Sequence, residues 1–206
     1  MGAARTSLRA LQDLIAADRR DFFLERAAEL FSERGYHATS MRDIAEAIGI
    51  RAPSLYAHIQ RKEDLLYGIV TSAATEFLSS LEAVRASSAP PAGKLREAMR
   101  AHVRVVADNL QGARVFHHEW RALSEPRRGE VRELRDRYEA LWDQLIAELR
   151  PDDPTFARLL ALSAANWTYV WYDPRGSLSP EEIADRFTDL LLRGLERRRS
   201  GKIRGG

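Results

Sequence analysis

The sequence predicts an all-α chain of two helical domains, and three observations carry that prediction. Apolar residues recur three and four apart through the long segments, the period of a helix with one buried face. No segment alternates polar and apolar as a half-buried strand does. Residues 39–65, TSMRDIAEAIGIRAPSLYAHIQRKEDL, read as two short helices around a tight turn and the start of a third, and SSAPPAG at 87–93 is the clearest linker.

The elements follow in order. Residues 1–17 are expected to form a helical arm, with Leu8, Leu11, Leu14 and Ile15 on one side. The first domain helix is predicted from about Asp18 to Arg34, packing Phe22, Phe23, Ala27, Leu30 and Phe31, with Asp18 as N-cap and Gly35 as stop. Ser40 or Thr39 caps the second helix, and Asp43 is placed to complete a capping box with Ser40. Ile44, Ala45 and Ile48 form its apolar face. Gly49 stands where a sharp exit from a helix favours a residue without a Cβ. Pro53 falls in the first turn of the third helix, where its missing N–H costs nothing. This is a helix-turn-helix, whose second helix can lie in a DNA major groove.

A fourth helix starts near Lys62, and its stripe runs from Leu65 and Leu66 through Ile69, Val70, Phe77 and Leu81 to Val84. Helix five is expected over about 94–110, broken by Gln111-Gly112, and helix six over about 113–123. Helix seven spans about 128–149, PDDP at 151–154 ends it, and helix eight spans about 155–172. DPRGSLSPEE then breaks the chain. Ser179 caps helix nine, with Pro180 at its first position and Glu182 completing the box. Helices eight and nine are apolar over more than a narrow stripe, which means deep burial or a partner chain.

Composition narrows the class. The chain has 206 residues, 45% hydrophobic and 30% charged, with a net charge of +2. No apolar run approaches the roughly 18 residues of a membrane span, and no signal-peptide apolar core of about 7–15 residues is present. A cytoplasmic protein without a membrane partner is therefore expected. The absence of cysteine excludes disulfides and thiolate metal sites. Global charge argues little for nucleic acid. Residues 193–206 carry six basic side chains against one acidic, and this tail reads as a solvated end.

Taken together, Thr39, Arg42-Asp43-Ile44-Ala45, Gly49, Leu55-Tyr56-x-His58 and Lys62-Glu63-x-Leu65 resemble the N-terminal domain of the TetR family of transcriptional regulators, over about residues 19–70. Arg51 departs from the family's usual Ser or Thr, and Ile59 from its usual Phe. The resemblance implies a helix-turn-helix DNA-binding domain over 18–65 and a helical effector-binding and dimerisation domain over 66–197. Residues 1–17 and 198–206 remain as arms. It implies a homodimer on palindromic operator DNA, a small-molecule effector, and an interface from the last two helices, with Leu160, Ala164, Phe187 and Leu191 as candidates. VFHHEWRAL (115–123), RDRYEALW (135–142) and NWTYVWYDPRGSLSPEEIADRF (166–187) are similar to a TetR subgroup that responds to acyl-CoA thioesters in fatty-acid, aromatic-acid or steroid degradation.

Candidate sites follow. Arg51, Ala52, Ser54 and Tyr56 fall in the part of the third helix that meets base edges and phosphates, and Arg51 could reach guanine O6 and N7. Tyr56, His58 and Lys62 are candidate backbone contacts, and Thr39, Ser40 and Arg42 can offer hydroxyl, N–H and guanidinium groups to a further phosphate. An effector pocket would draw on Phe77, Leu81, Met99, Val103, Val106, Phe116, Trp120, Tyr138, Trp142, Trp167 and Tyr169, although aromatics at this spacing also fit plain core. Asn166 is a polar amide among apolar neighbours and needs partners. Arg100, Arg104 or Arg121 could pair with CoA phosphates.

The rival effector is a hydrophobic drug. The rival class is a helical enzyme or metal protein using His102, His117, His118 and Glu119. Adjacent histidines point about 100° apart on a helix, and Arg121 occupies the i+4 position from His117 where zinc motifs place a ligand. No catalytic motif is present, so neither enzyme nor cofactor is expected.

Overall fold

A computed structural model describes residues 19–201, with side chains to residue 195, and every described regular element is a helix. The expected arm, the Asp18 cap and the end of the basic tail lie outside the described residues. The elements are α1 (19–34), α2 (Met41–Ile48), α3 (Ala52–Tyr56), α4 (Lys62–Arg85), α5 (Pro91–Asp108), α6 (Leu110–His118), a 3₁₀ turn (Trp120–Ala122), α7 (Arg127–Glu148), α8 (Pro154–Asn166), α9 (Thr168–Trp171) and α10 (Pro180–Gly201).

Local chemistry accounts for most boundaries. Ser40 and Asp43 form the expected capping box: Ser40 N–H donates to Asp43 Oδ2 at 2.7 Å, and Asp43 N–H to Ser40 Oγ at 3.2 Å. Gly49 ends α2 at φ 79°, a conformation costly for a residue with a Cβ. Ser179 and Glu182 make the same reciprocal pair before α10.

Two boundaries differ from expectation. The break after α5 falls at Asn109, whose Oδ1 accepts the Gly112 N–H at 2.7 Å, so Gln111 and Gly112 lie inside α6 rather than ending a helix. A side-chain cap outweighs the cost of glycine in a first turn. The predicted eighth helix divides at Trp167 into α8 and the short α9.

The apolar core runs through the predicted domain boundary. One cluster joins α1–α3 to the first half of α4 and to Val106, Phe116, Trp120 and Leu123. A second joins α4's end with α5, α7, α8 and α10, and it contains Leu81, Met99, Val103 and Trp142. α4 therefore belongs to both clusters. Gly68 permits its contact with α1: a Cβ there would lie 2.8 Å from Leu24 Cδ2.

Ion pairs stitch α5 to α10. Arg96 pairs with Asp185 and Asp189, Arg100 with Asp185, and Arg104 with Glu181. Arg100 and Arg104 thus already have carboxylate partners on the surface between α5 and α10. No described helix is long and apolar enough to cross a membrane.

Candidate DNA-binding surface and effector chamber

The helix-turn-helix presents Ser40, Arg42, Arg51, Ser54, Tyr56 and His58 as exposed side chains, while Ala52 is half-buried. Leu55 and Ile59 are buried and fix α3 against the domain core. His58 also packs its ring 5.8 Å from that of Phe23.

Two expected contacts turn inward. Thr39 is 1% exposed, and its hydroxyl donates to the Gly35 carbonyl at 2.9 Å, so its side chain serves the turn rather than a phosphate. Lys62 Nζ donates to the Tyr36 and Thr39 carbonyls at 2.7 and 2.6 Å and sits 4.2 Å from the Tyr36 ring centroid. Two of its three N–H groups are used in this way. Lys62→Ala would therefore loosen the α1–α2 turn as well as remove a charge.

A small chamber lies between α4, α5, α6, α7 and α8. Its volume is about 40 Å³, room for only a few waters, each needing at least roughly 10–15 Å³ by this measure. Of the expected residues, Phe77, Phe116, Tyr138 and Asn166 line it. Ala74, His102, His117, Leu134, Arg135, Glu139 and Leu162 complete the wall.

The remaining candidates lie elsewhere. Leu81, Met99, Val103, Val106 and Trp142 are core behind the wall. Trp120 is buried beside Phe116, and Tyr169 stacks on His117 from outside at 5.5 Å. Trp167 is 59% exposed and faces away from the core. Periodicity identifies the inward face of a helix but not which inward residues meet empty space.

The polar groups of the chamber are under-partnered. His102 Nδ1 lies 2.6 Å from the Tyr138 hydroxyl, and its Nε2 has no hydrogen-bond partner. Asn166 is close enough to favour the protonated ring but makes no hydrogen bond of ordinary geometry with it. His117 Nε2 is likewise buried without a partner. Arg135 is half-buried at the wall, with its guanidinium 5.0 Å from the Phe116 ring and 5.1 Å from the Trp120 ring. Arg121 covers the same indole at 4.8 Å. Among the described residues, no carboxylate forms an ion pair with Arg135 or Arg121. Glu119 lies apart from the histidines, with Oε1 3.7 Å from the position a Cβ would take at Gly35. No described cluster of three or more acidic or histidine side chains is placed to hold a metal.

Burial pushes the His102 imidazole down to about 3. Burial, then the charges of Arg135 and His118, push that of His117 to about 4. Both are low against an ordinary value of about 6.5. The unfolded chain then binds more protons than the folded one across that window. The contribution is fully present above about pH 6.5 and is lost as pH falls, by roughly 1.4 kcal/mol per pH unit and histidine. The melting temperature should drop between pH 7 and pH 5. A His102→Gln, His117→Gln double variant should show a flatter profile, and an unchanged slope would mean these rings are not the cause.

Residues 23–68 match the description "Bacterial regulatory proteins, tetR family", and residues 88–195 match "Tetracyclin repressor-like, C-terminal domain". The chain belongs to the TetR family. It is a DNA-binding transcriptional regulator of the repressor type, in a family of regulators rather than enzymes. It is 26% identical to the HTH-type transcriptional repressor KstR2 of Mycolicibacterium smegmatis, over 90% of this chain and 95% of that protein. It is 34% identical to the TetR-family regulator PfmR of Thermus thermophilus, with a TM-score of 0.76, over 84% of this chain and 98% of that one. Against AibR, crystallised with isovaleryl coenzyme A and operator DNA, identity is 31% and the TM-score 0.73, over 84% and 97% of the two chains.

TetR regulators bind operator DNA and dimerise. This chain carries an exposed apolar stripe on the predicted helices. Phe156, Leu159 and Leu160 recur at helical spacing along α8, Trp167 follows at its end, and Leu190 adds to the patch from α10. Leu160 is 51% exposed and Leu190 67%. Ala164 and Phe187 are half-buried. Leu191 is 6% exposed and belongs to the core of its own chain, and it also lines a surface groove with Phe156, Leu160 and Leu190.

The TetR architecture here also ties the chamber to the DNA-binding domain. α6 carries Phe116 and His117 in the wall, and the chain then passes through buried Trp120 and Leu123 to Ser124. Ser124 donates its N–H and hydroxyl to Glu63 Oε1 at 2.7 and 2.6 Å, and these bonds hold the Glu63 carboxyl below its usual range. Arg127 pairs with Asp64 at 2.7 Å and Glu63 at 3.8 Å and lies over the Tyr67 ring, while Tyr67 donates to Glu130. All of these α4 residues stand within its first two turns, next to Lys62.

A larger cleft of about 520 Å³ opens beside this junction, lined by Arg19, Arg20, His58, Asp64, Tyr67 and Arg127 among others. Its many charged walls, and a lining that shares no residue with the aromatic chamber, set it apart from that chamber.

Proposed function

We propose that this TetR regulator represses genes of acyl-CoA metabolism and is released from a palindromic operator by an acyl-CoA thioester, in the cytoplasm. The carrying observation is Arg135, a half-buried guanidinium without a carboxylate partner at the wall of an aromatic chamber, with Arg121 beside it. Apolar walls suit an acyl chain, and two unpaired cations suit phosphates. They also disfavour a cationic drug. The similarity to AibR, which was crystallised with isovaleryl coenzyme A, supports the same class.

In this reading Arg51 reads a base edge. Ser40, Arg42, Ser54, Tyr56 and His58 engage phosphates and flanking groups, and Ala52 permits close approach. A homodimer places two such helices on successive major grooves. An acyl chain cannot enter about 40 Å³ without moving wall side chains, and Phe77 and Phe116 are the two that connect to the DNA-binding domain. Phe77 stands on α4, and α6 leads to the Ser124–Arg127 clamp on α4's first turns. Movement of either ring therefore changes the aim of α4 and of the helix-turn-helix packed on it. Ligand shifts the equilibrium only as far as it prefers the DNA-incompetent arrangement.

The test is an operator-binding titration with acetyl-, isovaleryl-, octanoyl-, palmitoyl- and benzoyl-CoA, free CoA and the free acids. Release by at least one thioester, and not by its acid, is expected. Arg135→Ala should weaken that thioester roughly tenfold or more, the worth of a charge-assisted contact. Release by lipophilic drugs and by no thioester would overturn the proposal.

A further inference from the structure

We infer that His102 is the hydrogen-bond donor that recognises the carbonyl oxygen of the effector's thioester. The inference rests on the proposed acyl-CoA function and assigns one atom of the ligand to one atom of the protein.

The argument begins with Tyr138. Its hydroxyl is deep in the wall, 2.6 Å from His102 Nδ1. Burial raises its pKa, so it keeps its proton. The Trp142 indole N–H lies near that oxygen without a hydrogen bond of ordinary geometry, and as a donor it cannot take the proton. The Tyr138 proton therefore has one acceptor, His102 Nδ1. A neutral imidazole that accepts at Nδ1 carries its own hydrogen at Nε2. The ring is neutral, because burial holds its pKa near 3. Nε2–H is thus a fixed donor.

That donor is buried, lines the chamber and makes no hydrogen bond of ordinary geometry; the Asn166 side chain is its near polar neighbour. A buried donor left unsatisfied is costly, and it is the kind of group that selects a ligand. Its surroundings define the acceptor. Phe77 lies 4.7 Å from the His102 ring centroid to centroid, and Phe116 lies 5.6 Å from Phe77, so the neighbourhood is apolar. Asn166 is the polar group on the facing helix. A neutral carbonyl oxygen can accept from Nε2–H, taking the place beside the ring that the Asn166 amide now fills without a good hydrogen bond. A carboxylate at Nε2–H would set a full charge against an uncharged imidazole, whereas the Arg135 guanidinium is the place in this wall for an anionic group. With the carbonyl at His102 the acyl chain runs among the aromatic rings, and the rest of the thioester leaves toward Arg135.

The experiment compares a thioester with its thioether, in which the carbonyl is replaced by methylene and nothing else changes. The tightest binder of the five acyl-CoA probes and its S-alkyl-CoA counterpart are titrated calorimetrically into the full-length protein. Wild type should prefer the thioester roughly ten- to a hundredfold, the effect of leaving a buried donor unpaired. His102→Phe should bind both alike. Tyr138→Phe, which removes one oxygen and keeps the ring, frees the tautomer and should reduce the preference several-fold. His102→Gln, which retains an N–H donor, should recover part of it. A purely structural His102 would weaken both ligands equally and leave their ratio unchanged. Equal binding of thioester and thioether by wild type overturns the role of His102 while leaving the effector class standing. No binding by any thioester overturns the proposed function itself.

Discussion

Leu160→Arg is expected to give a folded monomer with operator affinity reduced at least a hundredfold. Leu160 is half-exposed on α8 in the same stripe as Phe156 and Trp167, so an arginine there can be solvated in a lone chain. In a dimer the same charge would be buried without a partner, at a cost of several kcal/mol. A monomer contacts one half-site, which removes the gain from linking two binding events on one duplex. Leu191→Arg should behave differently. Leu191 belongs to the same buried cluster as Leu145, Ile146 and Ala157 of its own chain, so the charge should unfold the effector domain. Sedimentation, circular dichroism and operator titration on both variants separate the cases. A Leu160→Arg dimer with normal operator affinity would remove the α8 stripe from the interface.

Arg127→Ala is expected to leave effector and operator binding in place while weakening the coupling between them. Its guanidinium joins the start of α7 to Asp64 and Glu63, and no other ion pair of the described residues makes that connection. Losing it removes the ion-pair part of the clamp and loosens the first turn of α4 against α7, while Ser124 still holds Glu63 and Tyr67 still reaches Glu130. Substitutions along such networks change coupling by roughly 0.5–2 kcal/mol, or about two- to thirtyfold in the effector's effect on operator affinity. Operator titrations with and without saturating thioester, on wild type and variant, give the two ratios. An unchanged ratio would mean that the signal travels along α4 itself from Phe77.

The residues that carried the reading of the fold were those with local chemistry. Ser40 with Asp43, Gly49, and Ser179 with Glu182 act within four residues of chain, so the sequence displays both partners. Asn109 misled because a side-chain cap competed with a glycine as the visible break. Long-range commitments were illegible. Thr39 and Lys62 look like phosphate ligands until their hydroxyl and ammonium are seen bonded to carbonyls of the α1–α2 turn. Arg100 and Arg104 look free until α10 supplies their carboxylates.

The chamber shows the same limit. Met99, Val103 and Trp142 occupy inward faces as good as those of Phe77 and Tyr138, and packing alone separates wall from core. One signal was available for Arg135. It sits four residues after Val131 and three before Tyr138, a charge within an apolar stripe. His102 and His117 stand similarly within inward-facing segments of α5 and α6.

Reciprocity of binding tests the central claim most directly. If a thioester releases the operator by preferring a different arrangement of α4, operator must weaken thioester binding by the same factor that thioester weakens operator binding. The measurement is the thioester Kd for the free protein and for the protein saturated with operator duplex. The account predicts weaker binding by the operator complex, by a factor equal to the ligand-induced loss of operator affinity. Equal thioester affinity in the two states would contradict it, however tightly the ligand binds.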